Sequence, residues 1–210
     1  MFVKICGLSE PVTLAAALEA GADAVGFVFA AGSPRTVDVA TVRELVQAVP
    51  ASVHTVGVFR RQPLDEVVET ARAAGVSTVQ LHGGEPVSDL DLLREEGFDT
   101  IRALSLDEYL SAVANDPSGL RRHRLLIDAP VPGAGEPFDT SALLAQPPHG
   151  QWLLAGGLHP GNVAALIAGA APGGVDVSSG VESSRGVKDA ALIAAFVAAA
   201  RALPLTAAPD

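Results

Sequence analysis

Short β-branched and apolar runs alternate along the chain with longer Ala-, Leu- and Glu-rich segments in which an apolar residue returns every three or four positions. The first kind of run predicts strands at residues 2–6, 24–29, 55–59, 78–82, 100–104, 125–128, 152–155 and 175–178. The second kind predicts helices at 11–20, 39–49, 64–74, 87–95, 106–115, 140–144, 160–168 and 189–202. Eight βα units with no Ser-, Pro- or charge-rich break between them predict an α/β fold, a single-domain (β/α)8 TIM barrel over residues 1–202, followed by a frayed tail at 203–210. A doubly wound open sheet is the alternative built from the same alternation. Gly21 and Gly75 stand at two helix ends, where a left-handed residue stops a helix before the next strand begins.

In a barrel each strand turns one face to the surrounding helices, and that face has to be apolar. Parity therefore sends Val3 and Ile5 outward from the first strand and Lys4 and Cys6 inward. The same rule points Gln80 and His82 inward from the fourth strand, Arg102 from the fifth, Asp128 from the sixth, and Asp176 and Ser178 from the eighth. A lone cysteine is more often a small buried hydrophobe than a reactive group, and Lys4, Arg102 and Asp176 also suit an interior ion-pair network. Burying polar groups costs free energy unless they are paired, however. Their gathering toward the carboxyl ends of strands, where barrel enzymes carry their sites, makes Cys6 and Asp128 candidates for chemistry.

Composition narrows the partners. The formal charge of −10 and the lack of a basic stripe argue against nucleic acid. The absence of a spanning apolar run or a signal segment predicts a cytoplasmic protein with no membrane contact. One cysteine allows no internal disulfide, and no Cys/His cluster has zinc-site spacing, so no metal is expected. An anionic small molecule stays compatible where the positive groups are local. Two glycine-bearing strand ends offer a seat for it. Gly156–Gly157 follows the seventh strand and precedes a helix expected to start near Pro160. Ser178, Ser179 and Gly180 follow the eighth, with room for a short extra helix before Gly186. Glycine lets main-chain N–H groups approach an anion, and barrels often seat a phosphate between these two loops. Gly156, Gly157, Asp176, Ser178, Ser179 and Gly180 are therefore the expected phosphate-binding residues.

Taken in order, Lys4-Ile-Cys-Gly-Leu, Gly21-Ala-Asp-Ala-Val-Gly-Phe-Val-Phe, Ser33-Pro-Arg, Val56-Gly-Val-Phe, Val79-Gln-Leu-His-Gly, Leu126-Ile-Asp, Ala155-Gly-Gly-Leu and Asp176-Val-Ser-Ser-Gly-Val-Glu closely resemble the strand ends of the phosphoribosylanthranilate isomerase family. Agreement at nearly all eight strand ends is far more specific than any one short motif. The resemblance implies an Amadori rearrangement in tryptophan biosynthesis. The aminoaldose N-(5′-phosphoribosyl)anthranilate becomes the aminoketose 1-(2-carboxyphenylamino)-1-deoxyribulose 5-phosphate, with no cofactor. It further implies Cys6 as general base, Asp128 as general acid, Arg35 against the anthranilate carboxylate, and His82 with Gln80 lining the substrate pocket. The partner is then a small phosphosugar, and both monomer and homodimer remain open.

The chemistry suits these groups. A proton delivered to the ring oxygen opens the ribose as the nitrogen forms an iminium, and a base then removes the proton from C2. Thiols have a reference pKa of about 8.5, which falls beside positive charge, and Lys4 is expected to supply some of that charge to Cys6. The chain departs from the family pattern after the sixth strand, in Pro132-Gly-Ala-Gly-Glu-Pro-Phe-Asp-Thr, where Glu136 stands for a basic residue and Thr140 for an aromatic one. Three rivals frame the assignment. A barrel isomerase acting on the histidine-pathway aminoaldose would end strand one in aspartate, not Cys6. A Schiff-base aldolase would need Lys4 one layer higher. A non-catalytic phosphosugar-binding protein would keep the glycine loops and need neither Cys6 nor Asp128.

Overall fold

The computed structural model describes residues 1–128 and 141–202. The glycine-bearing stretch after the sixth strand, the predicted helix start at Thr140 and the tail at 203–210 lie outside the described residues.

Eight parallel strands, β1 (Phe2–Cys6), β2 (Ala24–Val28), β3 (His54–Phe59), β4 (Thr78–Leu81), β5 (Asp99–Ser105), β6 (Arg124–Asp128), β7 (Leu153–Ala155) and β8 (Gly174–Val177), pair in chain order. The ring closes where β8 pairs with β1, with Lys4 opposite Asp176. Around it run α1 (Pro11–Glu19), α2 (Val39–Val46), α3 (Leu64–Ala74), α4 (Val87–Glu95), α5 (Leu106–Asn115), α6 (Ser141–Ala145), α7 (Val163–Ala170) and α8 (Ala190–Arg201). The open-sheet alternative is thereby excluded. The layer between strands and helices is dry: Ile5, Phe27, Phe59 and Val175 from the sheet pack with Leu14, Leu90 and Phe196 from the helices. No helix among the described residues is long and apolar enough to cross a membrane.

Local chemistry sets the helix ends. Asp38 accepts the Thr41 N–H at 2.9 Å to start α2, Ser105 and Glu108 form a reciprocal capping box on α5, and Asp189 accepts two N–H groups at the start of α8. Gly75 ends α3 at φ 75°, and Gly21 follows α1 at φ 85°, as their sequence positions required. Helix α2 is shorter than predicted because its last turn tightens into three-residue hydrogen bonds, Ala48 N–H to Leu45 O and Val49 N–H to Val46 O, before Pro50. Helix α7 begins at Val163 rather than near Pro160. Asn162 is taken up by the loop, accepting from His159 N at 2.8 Å and donating to Gly157 O at 2.9 Å. After β8 the extra helix is a single 3-10 turn over Ser179–Val181. An unpredicted hairpin follows, of β9 (Glu182–Ser184) and β10 (Val187–Lys188).

Parity holds for β1, β4, β6 and β8, and fails on β5. Arg102 lies opposite Leu125, which packs outward, whereas Ile101 and Ala103 face the interior with Cys6, Val58 and Leu126. Arg102 thus stands on the helix side, in a groove with Leu81, Leu90 and Glu108, and takes no part in the predicted interior ion-pair network. The inward places belong to the two short apolar side chains that fit the narrow barrel core, and the long arginine stem covers apolar surface outside it.

Candidate active site

At the carboxyl-terminal mouth of the barrel a cavity of about 600 Å³ gathers side chains from most of the strand ends. Cys6 enters from β1, Arg35 from the loop after β2, Gln80 and His82 from β4 and its end, and Asp128 from β6. Gly156 and Gly157 follow β7, and Asp176, Ser178 and Ser179 come from β8 and its loop. The volume lies in the range of small-ligand pockets.

On the β1 side, Lys4 is fully buried and its Nζ donates to Asp176 Oδ1 at 2.8 Å. Burial opposes the ammonium charge, but Asp176 and the Cys6 sulfur outweigh it and hold the Lys4 pKa above its ordinary value. Cys6 is 6% exposed. Burial pushes its thiol pKa up, Lys4 and Lys188 pull it down, Asp176 adds to the rise, and the balance is upward. Lys4 thus lowers the thiol pKa as expected, but burial, the largest influence, outweighs it. The partner strand makes room for the sulfur: a Cβ on Gly26 would lie 2.9 Å from Cys6 Sγ. Asp176 is thus engaged by Lys4, and a carboxylate does not attract a phosphate.

Across the mouth, the Gln80 amide nitrogen lies 3.2 Å from His82 Nδ1, and His82 Nε2 lies 3.2 Å from Asp128 Oδ2. With the Gln80 NH2 as donor, Nδ1 accepts, and an Nε2–H faces the carboxylate. The Asp128 side chain is 37% exposed. Asp128 is therefore not deeply buried; its contact with His82 is what distinguishes it.

The glycine loops and the Arg35 loop are equally specific in geometry. Gly156 and Gly157 take φ values of 84° and 63°, open to glycine without strain. Gly180 does not line the cavity. It sits behind, where a Cβ would come within 1.8 Å of Leu158 O, so its lack of a side chain lets the β7 and β8 loops meet. Arg35 lines the cavity but is not a free cation: Nε donates to Glu182 Oε1 at 2.6 Å and Nη2 to Oε2 at 3.0 Å. Lys188 Nζ reaches the same carboxylate at 2.8 Å, together with Ser178 O at 2.8 Å and Ser178 Oγ at 3.2 Å.

Glu182, Lys188 and Arg60 were given no role by the sequence. Glu182 closes the Ser-Ser-Gly-Val-Glu motif, and that position was its only signal. Lys188 lies in a polar stretch with no helical or strand period to orient it. Arg60 follows Val56-Gly-Val-Phe and brings an exposed guanidinium to the cavity rim.

The comparisons with known proteins agree with this geometry. The profile of the family described as PRAI, N-(5′phosphoribosyl)anthranilate (PRA) isomerase, matches residues 3–199. The N-(5′-phosphoribosyl)anthranilate isomerase of Deinococcus radiodurans is 42% identical over 205 residues, covering 95% of this chain and 96% of that protein. The crystal structure of TrpF from Jonesia denitrificans superposes with a TM-score of 0.86 at 42% identity, covering 99% of this chain and 98% of that one. A phosphoribosyl anthranilate isomerase solved with reduced 1-(o-carboxyphenylamino)-1-deoxyribulose 5-phosphate superposes with a TM-score of 0.85 at 32% identity, covering 97% of this chain and all 100% of that one. A closed eight-stranded barrel, a strand-one thiol and a strand-six carboxylate lining one cavity, and a match along almost the whole chain lead to one assignment: this chain belongs to the N-(5′-phosphoribosyl)anthranilate isomerase family.

Proposed function

We propose that the cavity isomerises N-(5′-phosphoribosyl)anthranilate to the 1-deoxyribulose 5-phosphate aminoketose, with Asp128 as proton donor and Cys6 as proton acceptor. The observation that carries this reading is that Cys6 and Asp128, from strands that are not neighbours, line one cavity with the two glycine loops. The sugar phosphate sits against the main chain of Gly156, Gly157, Ser178 and Ser179, with Gly180 keeping those loops together. The anthranilate carboxylate meets Arg35 at the other end. Two anchors of this kind fix the ribose between the reacting groups, and such orientation lowers the barrier.

Asp128 gives its proton to the ring oxygen. The C1–O bond breaks as the nitrogen lone pair forms the iminium. Cys6, as thiolate, takes the proton from C2, and the electron pair passes into the enolamine, which tautomerises to the ketone. The Lys4 ammonium favours the thiolate against the burial that opposes it. Gln80 and His82 act on the acid side: Gln80 orients the ring and His82 Nε2–H engages Asp128 Oδ2, which leaves Oδ1 to give the proton to the sugar.

The test is direct. With substrate generated in situ, the protein should abolish the anthranilate-type fluorescence catalytically, while the histidine-pathway aminoaldose supplied in parallel stays unconverted. Binding in a fluorescence titration with no turnover would replace this reading with that of a phosphosugar-binding protein.

A further inference from the structure

We propose that Glu182 is a positioning residue for substrate recognition: it holds the Arg35 guanidinium in place and, through Lys188, ties it to the Ser178 end of the β8 loop. The proposal rests on the reading that Arg35 meets the substrate carboxylate, and it assigns a task to three groups outside the acid–base chemistry.

Glu182 is almost fully enclosed, with its side chain 4% exposed, and both of its oxygens are saturated. Oε1 accepts from Arg35 Nε at 2.6 Å and Lys188 Nζ at 2.8 Å; Oε2 accepts from Arg35 Nη2 at 3.0 Å and the Gly186 N–H at 2.9 Å. Burial works against its charge, but these donors dominate and hold its pKa down at about 2, so it stays ionised at any working pH. An arginine side chain carries considerable rotamer freedom, and a two-pronged carboxylate grip removes it before any ligand arrives. The grip uses Nε and Nη2. Nη1 has no hydrogen-bond partner among the described residues, so it stays available to a second carboxylate.

The charges balance in the same direction. Arg35 and Lys188 supply two positive charges against the one negative charge of Glu182, which leaves one for an incoming anion. The chain of contacts Ser178–Lys188–Glu182–Arg35 links the proposed phosphate loop to the proposed carboxylate anchor, so the strut holds the two in fixed relation to one another. The hairpin of β9 and β10 that carries the strut is pressed onto the Arg35 loop. A Cβ on Gly186 would come within 2.9 Å of Pro34 O.

The experiment is a double-mutant cycle on the full-length enzyme with Arg35→Ala, Glu182→Gln and both together. It reads KM and kcat, with inorganic phosphate and anthranilate as separate competitive inhibitors. Arg35→Ala should raise KM. Glu182→Gln should raise KM and the anthranilate Ki about tenfold, leave kcat within about threefold and the phosphate Ki within about twofold, and add almost nothing in the double variant. If Glu182→Gln fails to fold, Glu182→Gln/Lys188→Met empties the strut of its opposite charges together and is read the same way for KM and anthranilate. An unchanged KM in the Glu182 variant, multiplied losses in the double variant, or phosphate and anthranilate weakened alike by Glu182→Gln would each overturn the proposal. Should Arg35→Ala leave KM unchanged, the reading of Arg35 as carboxylate anchor falls, and this proposal with it. A KM that rises with Arg35→Ala and not with Glu182→Gln sinks the proposal alone.

Discussion

Arg102 reaches out of the barrel with its aliphatic stem along the groove beside Leu81 and Leu90, and its Nε and Nη1 are buried without a hydrogen-bond partner among the described residues. Burial pushes its pKa down while Asp116 and Glu108 push it back. An unsatisfied buried donor costs about 1–3 kcal/mol, whereas an apolar side chain of similar shape escapes that cost. Arg102→Met should therefore leave the protein as stable as before or more so in urea unfolding, with activity unchanged; a loss above about 1 kcal/mol would show that the guanidinium has a stabilising partner. The parity rule misplaced this residue because it weighs charge and not stem: the methylene stem of an arginine can lie along apolar surface on the outer face with only the guanidinium polar. At Cys6 the rule succeeded in position, and the lowering influence of Lys4 was legible, but the burial that outweighs it was not. Lys4 two residues earlier was visible in the sequence, but its pairing with Asp176 depends on β8 closing onto β1, a contact between residues far apart in the chain. His82 and Asp128 were both legible as inward residues, but their mutual contact at 3.2 Å was not.

The strands and helices followed hydrophobic period closely, and the departures cluster in the loops that build the site. Residues 182–188 read Glu-Ser-Ser-Arg-Gly-Val-Lys, which has neither alternation nor helical spacing. The hairpin there is held by the Glu182–Lys188 pair and by a left-handed Gly186 at φ 85°. Such tertiary support has no local signature. The glycines after β7 and β8 were recognised as loop formers, but their individual tasks differ. Gly180 is a contact point between loops, with Leu158 O where its side chain would be. A methyl group there must drive the loops apart, and overpacking of that kind costs about 1–3 kcal/mol. Gly180→Ala should lower stability by that amount and weaken inhibition by inorganic phosphate about tenfold or more, while Arg35-dependent inhibition by anthranilate changes little. Phosphate inhibition at the wild-type level would contradict the placing of the anion between these two loops.

Over the whole molecule the barrel has two unlike ends. At the amino-terminal mouth a cavity of about 250 Å³ is bounded by Phe2, His54 and Arg124, with the Arg124 guanidinium 4.4 Å above the Phe2 ring. His123 there is fixed between Thr100 at 2.8 Å and Asp91 at 3.1 Å, an arrangement suited to stability. At the carboxyl-terminal mouth, Arg35 and Arg60 bring guanidinium groups to the cavity of a chain of formal charge −10, while Asp176 answers Lys4 and Glu182 is shared between Arg35 and Lys188. Eightfold alternation made the closed ring legible from sequence. Ring closure in turn places β1 and β6, which share no hydrogen bonds with one another, on two sides of one cavity. The proposed chemistry, a thiol and a carboxyl group acting on one sugar from different sides, requires that placement. The most direct test is kcat for Cys6→Ser and Asp128→Asn, measured beside the inhibition constant for inorganic phosphate. Each variant should lose about 10²–10⁴-fold in kcat while phosphate still binds with nearly wild-type affinity; turnover near the wild-type rate in either one would contradict the central claim.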